Sequence, residues 1–178
     1  GNIEVDTKKW PDMRSFVDKM HGKGKKVLLW IKSWDCEGLP KNECIDNLCN
    51  PVAADPTNPE FIKNTKLKIH KLLSHENECY NCDGFKIDFM NCIPKGETLR
   101  PYDGKSYGIE LIKKWLGLIH GSAKETKFDA LINASCAHPY TADVCENFVI
   151  VRAIFDNSTN VSSNNAACGI AAKIQIVF

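Results

Sequence analysis

The 178-residue sequence lacks a long apolar run and lacks an excess of charge of either sign. No apolar stretch approaches the roughly 18 residues of a membrane-spanning helix, so we expect no membrane partner. The 23 basic and 22 acidic side chains give a formal net charge of +1, without the concentrated basic patch that predicts nucleic-acid binding. With 43% apolar residues, the composition is typical of one globular domain.

Cysteine, by contrast, is abundant, with nine residues. Because this number is odd, at least one thiol stays free or pairs with another chain, while disulfides remain open for the others. Cys79 and Cys82 form a CxxC pair, and the looser pair Cys44 and Cys49 would complete a four-cysteine zinc site with it. The alternative is a reducing environment in which most thiols pack as small apolar side chains.

Helix-like and strand-like apolar patterns alternate along the chain, which is typical of βα units that build a parallel sheet. Short apolar runs predict four strands, at residues 27–31, 85–89, 130–134 and 148–151.

The intervening segments show helical spacing and helix caps. Apolar residues spaced by three and four predict helices over 13–20, 58–73 and 112–119, the second of them beginning at the cap Asn58 and Pro59. We therefore expect βα units over residues 1–156, followed at 157–178 by an Asn- and Ser-rich loop and an apolar tail without a clear period.

The segment Phe85–Phe89 places two opposite charges on one strand. A period of two sends Phe85, Ile87 and Phe89 to one face and Lys86 with Asp88 to the other. In a barrel, Lys86 and Asp88 would point inward near the strand's carboxyl end, where barrel enzymes place catalysis. The alternative is a simple ion pair at a strand edge.

Several segments in order resemble glycoside hydrolase family 31, the retaining α-glucosidases and α-xylosidases, and more distantly the related α-galactosidases. The segment Gly84–Phe89, followed by Ile93 and Pro94, resembles the family's nucleophile strand F-K-x-D-F-G-E with its trailing I-P. Asp55–Pro59 resembles its D-x-T-N-P turn. Earlier matches are Trp10–Asp12, His21–Gly24 and Val27–Ile31.

This resemblance implies an α/β fold that is a partial or truncated (β/α)8 TIM-type barrel. It implies that Asp88 is the catalytic nucleophile, that Lys86 lines the sugar subsite, and that no metal or organic cofactor is needed. In a retaining mechanism a second carboxyl group lies about 5 to 5.5 Å from the nucleophile and acts as acid and then base. Asp156 is the candidate for this role and Arg152 for substrate binding, because their spacing resembles that of the α-galactosidase relatives; a plain turn at Asp156 is the alternative.

Three further residues are candidates for sugar contacts. Trp30 and Trp34 offer rings on which a pyranose can stack; Trp30 lies inside an apolar strand and is more typical of a core, whereas Trp34 lies beyond the strand's end, at the expected cleft. His138 follows the third predicted strand on the same rim, where a structural hydrogen bond is the alternative to a functional one.

Two departures from the family bear on activity. Asn91 stands where the family has a glutamate, and 178 residues are fewer than the roughly 200 to 250 of a complete (β/α)8 barrel. The chain is therefore either a piece of a larger enzyme or a shortened relative whose sheet edges are covered by another copy or by its tail. An inactive carbohydrate-binding relative and a zinc- or thiol-containing α/β domain are the alternative functions.

Overall fold

The computed structural model describes residues 5–135 and 138–144, together with the backbone of two short strands at 147–148 and 173–177. These residues form a mixed α/β fold around one main sheet. Its helices are α1 (Met13–His21), α2 (Pro59–Leu73) and α3 (Ile109–Thr126), and two short 3₁₀ helices span Lys41–Glu43 and Pro139–Val144. Its strands are β1 (Lys26–Lys32), β2 (Cys44–Asn47), β3 (Asn50–Ala54), β4 (Gly84–Asp88), β5 (Leu99–Arg100), β6 (Leu131–Ala134), β7 (Asn147–Phe148) and β8 (Lys173–Val177).

The main sheet has the order β7-β6-β4-β1-β8. The four strands β1, β4, β6 and β7 are parallel, and each one lies beside its predecessor in chain order, so every crossover adds its strand to the same edge. Two of those crossovers contain α2 and α3, which lie against each other. The βα alternation expected from the sequence is therefore confirmed at the level of a parallel α/β sheet.

The other edge of the sheet carries a strand that the sequence pattern did not predict. β8 comes from the apolar tail and pairs antiparallel with β1, from Lys26 opposite Val177 to Trp30 opposite Lys173. It occupies the edge where a further parallel strand would pair in a barrel. The sheet of the described residues is thus open, and closure into a (β/α)8 barrel is not observed.

The second sheet is built from the connections that follow β1 and β4. Its order is β3-β2-β5, with all pairs antiparallel. The β2–β3 hairpin turns through Leu48 and Cys49, whose φ angles of 50° and 67° are those of a type I′ turn. Glycine and asparagine are the usual residues of that turn. Because Leu48 and Cys49 occupy it here, the sequence pattern did not predict the hairpin.

Two of the helices, α1 and α2, begin where their capping residues predict, whereas α3 extends beyond the predicted 112–119 at both ends. Asp12 accepts a hydrogen bond from the Ser15 backbone N–H at 2.9 Å and starts α1. Asn58 accepts from two N–H groups of the first turn of α2, and Pro59 occupies a first-turn position whose N–H would have no partner.

The main core lies between the helices and one face of the main sheet. Its fully buried large side chains include Leu29 of β1, Phe85 and Ile87 of β4, Leu72 of α2 and Leu116 of α3. Burial of such side chains is the main stabilising contribution to the fold. No helix among the described residues combines the length and the apolarity needed to span a membrane.

Candidate active site

The face of the main sheet opposite this core is polar along three adjacent strands. Trp30 of β1 pairs in register with Lys86 of β4, and Lys86 pairs with Asn133 of β6. Residues at equivalent positions of neighbouring strands point to the same face, so these three side chains form one row. Lys86 is 9% exposed, and its Nζ donates to Asn133 Oδ1 at 3.4 Å. This row fixes the ammonium group beside the carboxyl ends of the strands.

Asp88 lies one step further along the same face, at the carboxyl end of β4. Its Oδ2 accepts a hydrogen bond from Trp30 Nε1 at 3.3 Å, and its Oδ1 accepts from the Phe89 backbone N–H at 3.0 Å. The carboxylate is half-buried, so it is held in one orientation while remaining open to a ligand. Lys86 and Asp88 therefore share a face, as the strand period predicted.

Phe89 departs from the predicted pattern. β4 ends at Asp88, and Phe89 has a φ of 60°, which turns its side chain away from the core so that it is 42% exposed. Its ring meets the edge of Trp30 at a centroid distance of 6.0 Å and an interplanar angle of 88°. Met90, which is fully buried, takes the core position instead. An exposed aromatic ring thus lies beside the Asp88 carboxylate.

The two tryptophans have exchanged their expected places. Trp30 is half-buried on the polar face, where its indole N–H holds Asp88. Trp34 is 5% exposed, packs against Trp115 with ring centroids 5.5 Å apart, and donates from Nε1 to the Met90 carbonyl oxygen at 3.3 Å. Its φ of 65° turns the chain back into the core just beyond β1. Trp34 therefore belongs to the core, and its prediction as a cleft residue is wrong.

The Asp55–Pro59 turn joins the two connections that form the small sheet. Asp55 is 1% exposed; its Oδ1 accepts from the Thr57 hydroxyl at 2.6 Å, and its Oδ2 accepts from the Tyr102 backbone N–H at 2.7 Å. The Thr57 hydroxyl oxygen in turn accepts from the Asp103 N–H at 3.2 Å. These bonds fix the segment before α2 to the segment before α3.

Asp103 holds the segment that leads into α3. Desolvation raises the pKa of this carboxyl, but the Ser106 hydroxyl, the backbone N–H groups of Lys105 and Ser106, and the charge of Lys114 together lower it to about 2. The Lys114 Nζ lies 3.6 Å from Asp103 Oδ2. Asp103 is thus ionised at neutral pH and stabilises the loop.

The opposite edge of the sheet carries a buried carboxylate, Asp83, which no sequence pattern singled out. It is 2% exposed and accepts hydrogen bonds from the Val27 backbone N–H at 2.8 Å and from Lys26 Nζ at 3.2 Å. His21 Nε2 lies 2.7 Å away and Lys127 Nζ 3.5 Å away. Because an ionised carboxylate only accepts, His21 donates from Nε2.

The net effect of these partners is to keep Asp83 ionised. Desolvation raises its pKa, but the hydrogen bonds from Val27, His21 and Lys26 and the charge of Lys127 outweigh it, so the pKa is lowered. The same contact raises the pKa of Lys26, chiefly through its hydrogen bond to Asp83. Asp83 lies at the amino ends of the strands, where parallel α/β folds place structural rather than catalytic groups.

The remaining candidates do not join the polar face of the described residues. The His138 side chain is exposed, and its Nδ1 accepts the Tyr140 backbone N–H at 3.1 Å, which gives it a structural role at the start of a 3₁₀ helix. Asp156 and Arg152 lie outside the described residues, and their roles stay predictions.

Among the residues that the structure describes, the four cysteines considered for a zinc site do not form a cluster of metal-ligating atoms. Cys49 is exposed in the β2–β3 turn, and Cys44 is buried and donates from Sγ to the Pro40 carbonyl oxygen at 3.4 Å. Burial raises the pKa of the Cys44 thiol to about 11 and that of the Cys82 thiol to about 12, which opposes the thiolate form that binds zinc. Both cysteines of the CxxC pair are free of disulfides.

Comparisons with known proteins find a likeness in structure only. No protein-family model and no curated protein sequence matches the chain. Among solved structures, the chain is similar to the cycloalternan-forming enzyme of Listeria monocytogenes in complex with a pentasaccharide substrate, with a TM-score of 0.57 and 16% identity over 71% of this chain.

It is also similar to the uncharacterized protein lmo2446 of Listeria monocytogenes EGD-e. The structure of lmo2446 in complex with α- and β-D-glucose, magnesium and calcium gives a TM-score of 0.59 and 18% identity over 72% of this chain, and a structure without the sugars in its description gives 0.58 and 18%. The chain spans 14% to 15% of the length of these proteins. At such identities the likeness establishes the α/β fold alone.

Proposed function

We propose that the chain forms part of the catalytic domain of a carbohydrate-active enzyme, a retaining α-glycosidase of the family 31 type that acts on terminal α-linked sugars. The observation that carries this proposal is the Asp88 carboxylate at the carboxyl end of β4, held by the Trp30 indole N–H on a polar face. The two solved structures described with bound sugars support it at the level of ligand class. In this proposal the polar face is the interior of a partial or truncated (β/α)8 barrel.

The proposed reaction is double displacement. Asp88 attacks the anomeric carbon as the bond to the leaving oxygen breaks, and that oxygen takes a proton from a second carboxylic acid. The same acid, as its carboxylate, then removes a proton from the water that releases the sugar. Among the described strand residues of the polar face, Asp88 is the one carboxylate. The group that acts first as acid and then as base must therefore come from another segment, and we propose Asp156 for this role.

The surrounding side chains have complementary tasks. Lys86, held by Asn133, is proposed to line the sugar subsite on the same face. Phe89 and Trp30 present aromatic surface beside the carboxylate, suited to the apolar face of a pyranose. Arg152 is proposed to bind substrate hydroxyls.

A second candidate function is carbohydrate binding without turnover. It is favoured by Asn91, which is exposed just beyond β4 at the position where family 31 has a glutamate. It is also favoured by β8, which pairs antiparallel with β1 at the edge of the sheet. In that case the same polar face binds sugar and Asp88 acts as a hydrogen-bond acceptor.

The test is intact-mass spectrometry of the full chain after incubation with 5-fluoro-α-glycosyl fluorides of glucose, xylose and galactose, which trap a glycosyl-enzyme. We expect one adduct with one preferred sugar, lost in Asp88→Asn and retained in Asp129→Asn, a control for an exposed aspartate at the opposite edge. An adduct retained in Asp88→Asn contradicts the assigned nucleophile. If no adduct forms with any of the sugars, but NMR shows sugar binding that is lost in Asp88→Asn, the result contradicts catalysis and supports carbohydrate binding without turnover.

A further inference from the structure

A group of metal-ligating side chains lies away from the polar face, where α2 ends and the chain returns toward β4. His70, Glu76 and Cys79 each offer one ligand atom, and these atoms all lie within 4.8 Å of one another. We propose that these three residues form a binding site for a divalent transition metal ion of the zinc class. The site differs from the four-cysteine arrangement considered from the sequence, because it uses one cysteine of the CxxC pair with a histidine and a glutamate.

The chain that carries the ligands is fixed by backbone hydrogen bonds. His70 lies in the last turn of α2, and the Ser74 N–H donates to its carbonyl oxygen at 2.9 Å. Beyond the turn, the Tyr80 N–H donates back to the Lys71 carbonyl oxygen at 3.0 Å. Glu78 has a φ of 67°, which reverses the chain between two of the ligands. The loop is therefore closed onto the helix before any ion binds.

Arg14 of α1 holds the same loop from its other side. Its Nη1 donates to the carbonyl oxygens of His75, Glu76 and Cys79 at 3.3, 3.2 and 3.0 Å. Three carbonyls gathered on one guanidinium nitrogen fix the backbone of two ligand residues.

The donor set selects the metal. One imidazole nitrogen, one carboxylate oxygen and one sulfur suit zinc and similar ions, whereas calcium and magnesium require oxygen ligands throughout. A neutral histidine, an ionised glutamate and a thiolate carry two negative charges, which balance a divalent ion. Binding releases the proton of the Cys79 thiol.

The geometry requires a small adjustment. Ligand atoms around a tetrahedral zinc ion lie roughly 3.5 Å apart, since the individual bonds are about 2.0 to 2.3 Å long. His70 Nε2 and Glu76 Oε2 already lie 3.3 Å apart. Their side chains are 48% and 64% exposed, so both can rotate toward the 7% exposed Cys79, and the fourth position stays open to water.

Without a metal, His70 Nε2 and Glu76 Oε2 form an exposed side-chain hydrogen bond, which contributes little to stability. The buried sulfur beside them is what distinguishes the group from such a pair. An ion bound there would connect the end of α2 to the loop that precedes β4, and through Arg14 to α1.

The test is a titration of the full, chelator-treated and reduced chain with Co²⁺ and then Zn²⁺. We expect one equivalent of Co²⁺ with a thiolate-to-cobalt charge-transfer absorption, displacement of that ion by Zn²⁺, and a metal-dependent rise in melting temperature. Replacing a ligand in Cys79→Ser or His70→Ala should weaken binding by at least about tenfold. The control Cys49→Ser, an exposed cysteine of the β2–β3 turn, should leave it unchanged.

Three outcomes overturn the proposal: no thiolate absorption, an absorption retained in Cys79→Ser, or one lost in Cys49→Ser. If Cys79→Ser fails to fold, His70→Ala decides the question, because the exposed His70 side chain can be removed without opening the core. Neither result depends on sugar binding at Asp88.

Discussion

The two ends of β4 carry one aspartate each, and their surroundings are opposite in character. Asp83, just before the strand, is 2% exposed and has His21, two lysines and a backbone N–H as partners. Asp88, the last residue of the strand, is half-buried and is held by one indole N–H and one backbone N–H.

The two ends of β4 therefore differ in how many partners the carboxylate has and in how accessible it is. At the amino edge, the carboxylate accepts hydrogen bonds from α1, from β1 and from the residue that follows α3, and these bonds hold the three elements together. At the carboxyl edge, the carboxylate is oriented but left accessible. Parallel α/β folds place stability at the first edge and chemistry at the second.

The largest effect is expected at Gly84, next to Asp83. Its φ is 145°, and a Cβ built there would lie 1.9 Å from the carbonyl oxygen of Leu131, its partner in β6. We expect Gly84→Ala to lower the free energy of unfolding by more than about 3 kcal/mol, because the backbone of two strands must separate. Urea denaturation of the purified variants measures this.

The matched control is Gly104→Ala, in the loop after β5. Gly104 has a φ of 66° with nothing within 4 Å of the added Cβ, so its cost is the conformational strain alone, about 1 to 2 kcal/mol. Equal destabilisation by the two variants would show that the close contact at Gly84 is unimportant.

The direct comparison is Asp83→Asn against Asp88→Asn. In Asp83→Asn an amide replaces a buried charge and turns one acceptor into a donor facing lysines, so we expect a loss of about 3 kcal/mol. In Asp88→Asn the half-buried site can rehydrate, and we expect a change of less than about 1 kcal/mol. Urea denaturation of both variants gives the two free energies of unfolding. If Asp88→Asn were the less stable protein, the structural role assigned to Asp83 and the accessible position assigned to Asp88 would be contradicted.

A third prediction concerns Asp103, a structural carboxylate on the loop leading into α3. Its folded-state pKa of about 2 lies below the usual value of 3.8, so the unfolded chain binds a proton first as the pH falls. The stabilisation, about 2 kcal/mol, is fully present above pH ~4 and is lost as the pH falls toward ~2.

The measurement is the free energy of unfolding of the wild type and of Asp103→Asn as a function of pH. The two curves should differ by about 2 kcal/mol near neutral pH and converge in acid. A difference independent of pH between about 5 and 2 would contradict the assignment, since a substitution that acts only through packing has no such dependence.

The smallest stability effect is expected at Phe89, whose ring is 42% exposed beside Asp88. Phe89→Ala should change the free energy of unfolding by less than about 1 kcal/mol, because little apolar surface is removed from the core. Sugar affinity should fall several-fold because the stacking surface is lost. Parallel thermal melts and sugar titrations distinguish the two; a strongly destabilised variant with unchanged affinity would place Phe89 in the structural group.

Strand and helix periodicity predicted the elements that build the main sheet. The run at 27–31 lies in β1, that at 85–89 overlaps β4, and that at 130–134 overlaps β6, while the caps at Asp12 and Asn58 begin α1 and α2. The period of two also placed Lys86 and Asp88 on one face. These features depend on neighbouring residues, which is why a sequence pattern predicts them.

Other features escaped the pattern for identifiable reasons. The β2–β3 hairpin turns at Leu48 and Cys49 instead of the usual asparagine and glycine. Phe89 leaves the strand because of a positive φ that a phenylalanine rarely adopts. Trp34 turns back into the core for the same reason, while Trp30 points to the polar face because β1 alternates. For the three aromatic residues, one backbone angle or one strand face decided where the side chain lies.

The sequence by itself determined the βα order, the capped starts of α1 and α2, and the face that the Lys86 and Asp88 side chains share, because these follow from relations within a few residues along the chain. Only the tertiary structure decided that Trp30 reaches Asp88 and that Asp83 collects His21 and Lys127. Those contacts join residues far apart in sequence, and they depend on which strands become neighbours and in what register.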